Sequence, residues 1–298
     1  MQRPEFLKLG DKIAVVATAK RLERSIADGI ETLTEWGLDV IVDENVNKQS
    51  GYFAGSDDDR LESLQSALDN PEIKAIIFAR GGYGTTRIID QVDFDGFKKS
   101  PKWLVGFSDL TSILLQALKF DVPSIHGPVA MTIGNDYASD QYLKSILFEG
   151  SNSVYPLTES SSTTFGTCSG KITGGNLTLI CESIGTNNEI DTEGNILFIE
   201  EVGEAKYSLD RMLNKLKRAG KITNLSGVII GSFSNISDPQ GYFETETDEI
   251  LNSYFGHLNI PIAYGLSAGH EPMNLPLIFG CDAEVLVELG QLTIKYLD

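Results

Sequence analysis

The chain has 298 residues, 41% of them hydrophobic and 22% charged, enough for one large domain or two smaller ones with a substantial core. Its formal charge of −18 opposes binding to phosphate backbones and to anionic lipid, so neither nucleic acid nor a membrane surface is an expected partner. No apolar run approaches the roughly 20 residues of a membrane span. Residues 1–19 read as a polar lead into a strand without an export signal, and the three cysteines, Cys168, Cys181 and Cys281, match no zinc spacing. A cytoplasmic protein with reduced, structural thiols is expected.

In chain order, the first half alternates strand and helix patterns. Strands are predicted over 12–17, 38–42, 74–79 and 103–107, and helices over 22–36 and 57–68 and from residue 110 onward. Repeated units of this kind predict a parallel sheet with helices on both faces. The last unit is the most informative: Leu110, Ile113, Leu114 and Leu118 recur on one helix face, and Gly106-Phe107-Ser108-Asp109 lies at the turn before it. A serine there is either a nucleophile beside the open N–H groups of a helix start or simply that helix's N-cap. Arg80-Gly81-Gly82-Tyr83-Gly84 directly follows the strand over 74–79, at the carboxyl edge where open α/β sheets hold ligands. It breaks the dinucleotide-binding spacing, with Arg87 where a third glycine belongs, and reads as a loop offering backbone N–H groups. The polar stretch 45–56 is expected to border the same site.

Between residues 151 and 169 periodicity is lost and Ser and Thr accumulate, which predicts a linker between an amino-terminal domain, 1–150, and a carboxyl-terminal domain, 170–298. The second half predicts a short helix after Gly175, strands over 196–200 and 228–233, helices over 207–218 and 244–255, and a hairpin of strands 284–289 and 291–297 joined at Gly290. The fold class is α/β: a parallel-sheet, Rossmann/flavodoxin-like amino-terminal domain followed by a mixed α/β domain. Gly166-Thr167-Cys168-Ser169-Gly170-Lys171-Ile172 imitates a phosphate loop, but it is one residue short and has Ile172 where magnesium needs a hydroxyl.

A serine nucleophile needs a base, and the only histidines are His126, His257 and His270. His257 ends a predicted surface helix and is expected to be solvated. His126 and His270 both sit in turns punctuated by Gly or Pro, where each is either a base or a satisfied structural residue; Gly269 and Pro272 constrain the loop of His270 and favour it. The acid orienting the base is Glu200 or Glu201, at the end of an apolar run, with surface charge as the alternative and Glu201 fitting that alternative better. No histidine pair has metalloprotease spacing, so no metal is expected, and no cofactor.

Taken together, Arg80-Gly81-Gly82-Tyr83-Gly84, Gly106-Phe107-Ser108-Asp109, His126-Gly127-Pro128, Gly170-Lys171, Gly174-Gly175-Asn176-Leu177, Phe198-Ile199-Glu200-Glu201 and Gly269-His270 resemble the LD-carboxypeptidase family of serine peptidases, in the family's order. The resemblance implies Ser108 as nucleophile, Glu200 as orienting acid and His270 as base, with the N–H groups of Gly82 and Asp109 holding the oxyanion. Glu201 stands where many members have Asp. It further implies a homodimer and a cytosolic muropeptide substrate, cut between the L-centre of a diamino acid and terminal D-Ala. A free terminal carboxylate needs a cation, for which Arg80 is the expected residue. A related branch of the family, the self-immunity peptidases, cleaves a peptide-nucleotide antibiotic and carries an added aromatic loop; here Trp36 ends a predicted helix and Trp103 begins a strand. The reading from another class is a non-enzymatic small-molecule-binding α/β protein in which Ser108 only caps a helix.

Overall fold

The computed structural model describes residues 2–150, 153–238 and 241–297. The chain divides into two units, Met1–Gly150 with Pro276–Gly280 and Ser151–Leu275 with Cys281–Asp298.

The first unit is built from β1 (Lys12–Val16), α1 (Ala27–Glu35), β2 (Asp39–Val42), α2 (Asp57–Asp69), β3 (Ile73–Phe78), α3 (Asp95–Lys99), β4 (Trp103–Gly106), α4 (Thr111–Leu118), β5 (Ser124–His126) and α5 (Tyr137–Glu149). β1 to β5 are parallel, and their order, β5-β4-β3-β1-β2, is the flavodoxin-like arrangement. Its inner strands are continuous apolar runs because helices cover both faces; Ile13, Val15, Val16, Ile76, Ile77, Leu104 and Val105 are all fully buried. The order reverses between β1 and β3, the point at whose carboxyl ends open α/β sheets hold ligands. α2 starts with a capping box between Ser56 and Asp59. Its last carbonyls are closed by buried Lys102, whose Nζ donates to the oxygens of Ala67, Leu68 and Asn70 at 2.9, 2.8 and 2.7 Å. α1 is shorter than its periodicity predicts. Ser25 Oγ accepts from Ala27 N, and Arg21 N donates to Tyr52 O, so residues 20–26 are held as a loop despite the helix-like spacing of Leu22 and Ile26.

The second unit comprises β6 (Ser153–Pro156), β7 (Gly166–Asn176), α6 (Leu177–Ser183), β8 (Ile196–Val202), α7 (Lys206–Arg218), β9 (Gly227–Ser234), α8 (Thr247–Phe255) and β10 (Ile262–Ala263). After β11 (Leu277–Phe279) come its last two strands, β12 (Asp282–Glu288) and β13 (Gln291–Tyr296). The sheet runs β10-β9-β8-β7-β12-β13-β6, parallel from β7 to β10 and antiparallel beyond. α7 buries Leu209, Met212, Leu213 and Leu216, one stripe at helical spacing. β12 and β13 form the hairpin expected around Gly290, which takes a φ of +69°.

Two boundaries differ from the expectation. The stretch 151–169 is not simply a linker: Ser151 and Asn152 lie outside the described residues, but β6 pairs with β13 and the first half of β7 pairs with β12. Its Ser and Thr content reflects strands open on one face, with buried and exposed residues alternating along β6. The phosphate-loop imitation is the opening of β7. Nor does 170–298 belong wholly to the second unit, because β11 returns to pair antiparallel with β5, Leu277 opposite His126. Three residues between Pro276 and Gly280 are too short a run to read as a strand. In β7, a Cβ at Gly174 would fall 1.8 Å from the Phe198 carbonyl oxygen, so glycine at that position is what lets β7 and β8 lie together.

Candidate active site

β4 ends at Gly106, Phe107 is extended, and Ser108 takes a φ of +66° before a single 3-10 turn, Ser108–Leu110, leads into α4. The other non-glycine residues with positive φ among those described are Asp121, Asn235 and Asn259, types that tolerate the left-handed region; Ser108 is the exception. Such strain persists where the surroundings impose it, and it concentrates at functional sites. A Cβ at Gly106 would meet Leu110 Cδ1 at 2.4 Å, so glycine is required for the turn to close. The N-cap positions fall at Phe107 and Leu110, which removes the reading of Ser108 as a helix cap.

The glycine loop lies directly on this serine. A Cβ at Gly81 would sit 3.0 Å from Ser108 Cβ and 3.3 Å from its Oγ. Gly82 and Gly84 take φ of +121° and +143°. The loop is tied down from two sides. Buried Asp109 accepts from Thr85 N through Oδ2 at 2.9 Å. Arg60, fully buried, donates from Nη1 to the carbonyls of Thr18 and Gly84 at 2.6 and 2.7 Å, pairs with Asp57 and stacks over Phe53. Arg60 was not read from the sequence, where Asp57-Asp58-Asp59-Arg60 looks like a solvated helix start; its acceptors lie 24 and 42 residues away. Arg80 does not stand alone as a cation. It donates to Gly81 O at 3.2 Å, to Arg21 O at 3.1 Å and to Glu23 Oε2 at 3.1 Å. Tyr52 and Phe53, from the stretch 45–56, border the loop: Tyr52 Oη is 3.3 Å from the Cβ position of Gly82.

In the second unit, Glu200 lies fully buried near the end of β8, with Oε2 2.8 Å from Nδ1 of His270. The approach depends on Gly269, whose φ is +135° and whose Cβ would fall 2.9 Å from that oxygen. Gly269 N donates to Asn274 Oδ1 at 2.8 Å, so buried Asn274 sets the loop that carries the histidine; this role was also missed in the sequence. Burial pushes the Glu200 carboxyl up, with the His270 contact opposing it. Burial alone would push the imidazole down, but the hydrogen bond and charge of Glu200 outweigh it, and His270 is held above the ordinary histidine value.

Glu201 points to the opposite face of the strand. It is buried rather than a surface charge, correcting that expectation, and its oxygens accept from Asn176 Nδ2, Val202 N, Thr178 N and Thr178 Oγ1 at 2.8 to 2.9 Å. The three donors from Asn176 and Thr178 tie Glu201 to the start of α6. His126 is buried in β5 between the rings of Phe107 and Phe279, at centroid distances of 6.0 and 5.7 Å. His257 is exposed just beyond α8.

Among the described residues no group of three His, Cys, Asp or Glu side chains is placed to hold a metal ion, and no helix is long and apolar enough to cross a membrane.

One unit is a parallel α/β sheet with a strained serine elbow, and the other a mixed sheet with a carboxylate-oriented histidine. The chain belongs to the LD-carboxypeptidase family: the family's N-terminal domain matches residues 13–127 and its C-terminal domain residues 169–285. It is 33% identical to the Bacillus subtilis protein named probable murein peptide carboxypeptidase, over 94% of this chain and 90% of that one. Among solved structures it resembles muramoyltetrapeptide carboxypeptidase from Oxalobacter formigenes, with a TM-score of 0.86 and 27% identity over 96% of this chain and 99% of that one. The microcin C7 self-immunity protein MccF shares the fold, with a TM-score of 0.87 and 20% identity over 99% of each chain.

Proposed function

We propose that this protein is a serine carboxypeptidase that hydrolyses the bond between the L-centre of a diamino acid and terminal D-Ala in cytosolic murein tetrapeptides, as a step in peptidoglycan recycling. The observation that carries the reading is the strained Ser108 beneath the glycine loop. His270 takes the proton of Ser108 Oγ as it attacks the scissile carbonyl. Glu200 holds the imidazole in the tautomer that leaves Nε2 as acceptor and stabilises the imidazolium that forms. The N–H groups of Gly82 and Asp109 bind the developing oxyanion. Collapse of the tetrahedral intermediate passes the proton from His270 to the departing amine of D-Ala. A water molecule, deprotonated by the same histidine, then releases the peptide from Ser108.

The names carried by the relatives support this substrate class. The self-immunity reading gains nothing from the tryptophans, since Trp36 and Trp103 are both buried in the first unit. The test is incubation with a panel of muropeptides and with an aminoacyl-nucleotide conjugate, followed by mass spectrometry. Loss of terminal alanine from tetrapeptides ending in D-Ala, much faster than from the L-Ala epimers, is the expected result. Comparable rates on the two epimers, or preferential cleavage of the conjugate, would overturn it.

A further inference from the structure

Lys20 and Arg80 close on a single carboxylate. Lys20 Nζ lies 2.6 Å from Glu23 Oε1, and Arg80 Nη1 lies 3.1 Å from Glu23 Oε2. Lys20 belongs to the loop after β1 and Arg80 to the loop after β3, the two strands between which the sheet order reverses. The crevice at such a point is where open α/β sheets receive ligands. The cluster also adjoins the serine through one short loop. Gly81 lies against Ser108, and the Cβ position of its neighbour Gly82 falls 2.6 Å from Lys20 Cβ.

The two sides of this cluster differ in how they are built. The Arg80 side chain is 12% exposed and braced by the carbonyls of Gly81 and Arg21, and Lys20 is 24% exposed and lies over the Tyr52 ring. Glu23 is 54% exposed and pairs with these two cations. Lys20 and Arg80 hold its carboxyl below the usual carboxylate range, so it is ionised at neutral pH. Two cations against one acid leave a local positive charge in a chain whose net charge is −18. Beside Glu23 opens a cavity of about 470 Å³ lined by Leu22, Arg24, Ile26, Ile30 and Asn47, which gives the glutamate side chain somewhere to move.

We propose that Lys20 and Arg80 form a carboxylate-binding subsite, that Glu23 fills it in the free protein as an internal placeholder, and that a carboxylate of the peptide substrate displaces Glu23. The proposal rests on the peptidase reading for its substrate. A guanidinium and an ammonium exchange one carboxylate for another without loss of charge pairing, and an exposed ion pair gives up little when it opens. The released Glu23 returns to solvent.

The test compares wild type, Glu23→Gln and Lys20→Met on a tetrapeptide with all its carboxylates free, on the same peptide amidated at its terminus, and on forms amidated at each other carboxyl group. Glu23→Gln is expected to lower KM for the free peptide by about three- to tenfold with kcat within about twofold, and Lys20→Met to raise KM by a similar factor. The amidated form on which both effects vanish identifies the carboxylate that binds. Effects that persist on every amidated form, or a KM that Glu23→Gln leaves unchanged or raises, would overturn the subsite. If wild type releases alanine from no tetrapeptide, the substrate reading fails separately. Binding of N-acetyl-D-alanine and of its amide, followed by NMR titration, then decides the subsite: tighter binding of the acid alone by Glu23→Gln supports it, and equal binding overturns it.

Discussion

Glu200 and Glu201 are neighbours in sequence with different work, and strand geometry separates them. Successive side chains leave a strand on opposite faces, so one carboxylate reaches His270 while the other is saturated by Asn176, Thr178 and its own strand. The pair of Glu200 and His270 has a consequence for pH. The proposed base must be neutral to accept the serine proton, so kcat/KM is expected to rise as pH climbs through the His270 pKa, which Glu200 holds above the ordinary histidine value of about 6.5. Glu200→Gln removes the charge that opposes desolvation. The acid limb of the profile is therefore expected to move to lower pH while the plateau falls by about 10²–10⁴. A limb that stays in place in the variant would show that another group titrates there.

At the scale of elements, what the sequence reveals depends on where each element's partners lie. The inner strands of the first unit are legible because burial on both faces leaves continuous apolar runs, and the Ser108 elbow because strand, glycine, serine and helix are contiguous. β6 and the start of β7 are illegible for the opposite reason: one open face admits Ser and Thr and imitates a linker. The pairing of Glu200 with His270 spans 70 residues; the residues alone leave Glu200 and Glu201, and His126 and His270, as alternatives, and the family resemblance selects between them. Arg60, Asn274 and Glu23 gave no such signal, since their roles exist only once distant backbone or side chains surround them. Lys102 is a similar case, a buried ammonium that burial pushes down to about 8 and that caps the end of α2. Lys102→Met leaves three carbonyls short of a donor and is expected to cost roughly 1–3 kcal/mol in urea unfolding, with little change in turnover. Unchanged stability would mean that water or relaxation replaces the lysine at no cost.

For the whole molecule, the proposed nucleophile belongs to one unit and the proposed acid–base pair to the other. We propose that the protein works as a homodimer, in keeping with the family resemblance. Sedimentation velocity at micromolar protein is expected to show a dimer, and a fully active monomer would contradict this.

The central claim is that Ser108 is the nucleophile, and it is tested most directly by the rate of terminal D-Ala release from a murein tetrapeptide by Ser108→Ala, with its thermal unfolding matched to wild type. The strained turn and the glycine loop above it predict a loss of about 10³-fold or more in kcat with the fold retained. A correctly folded Ser108→Ala protein that keeps most of the wild-type turnover would contradict the account.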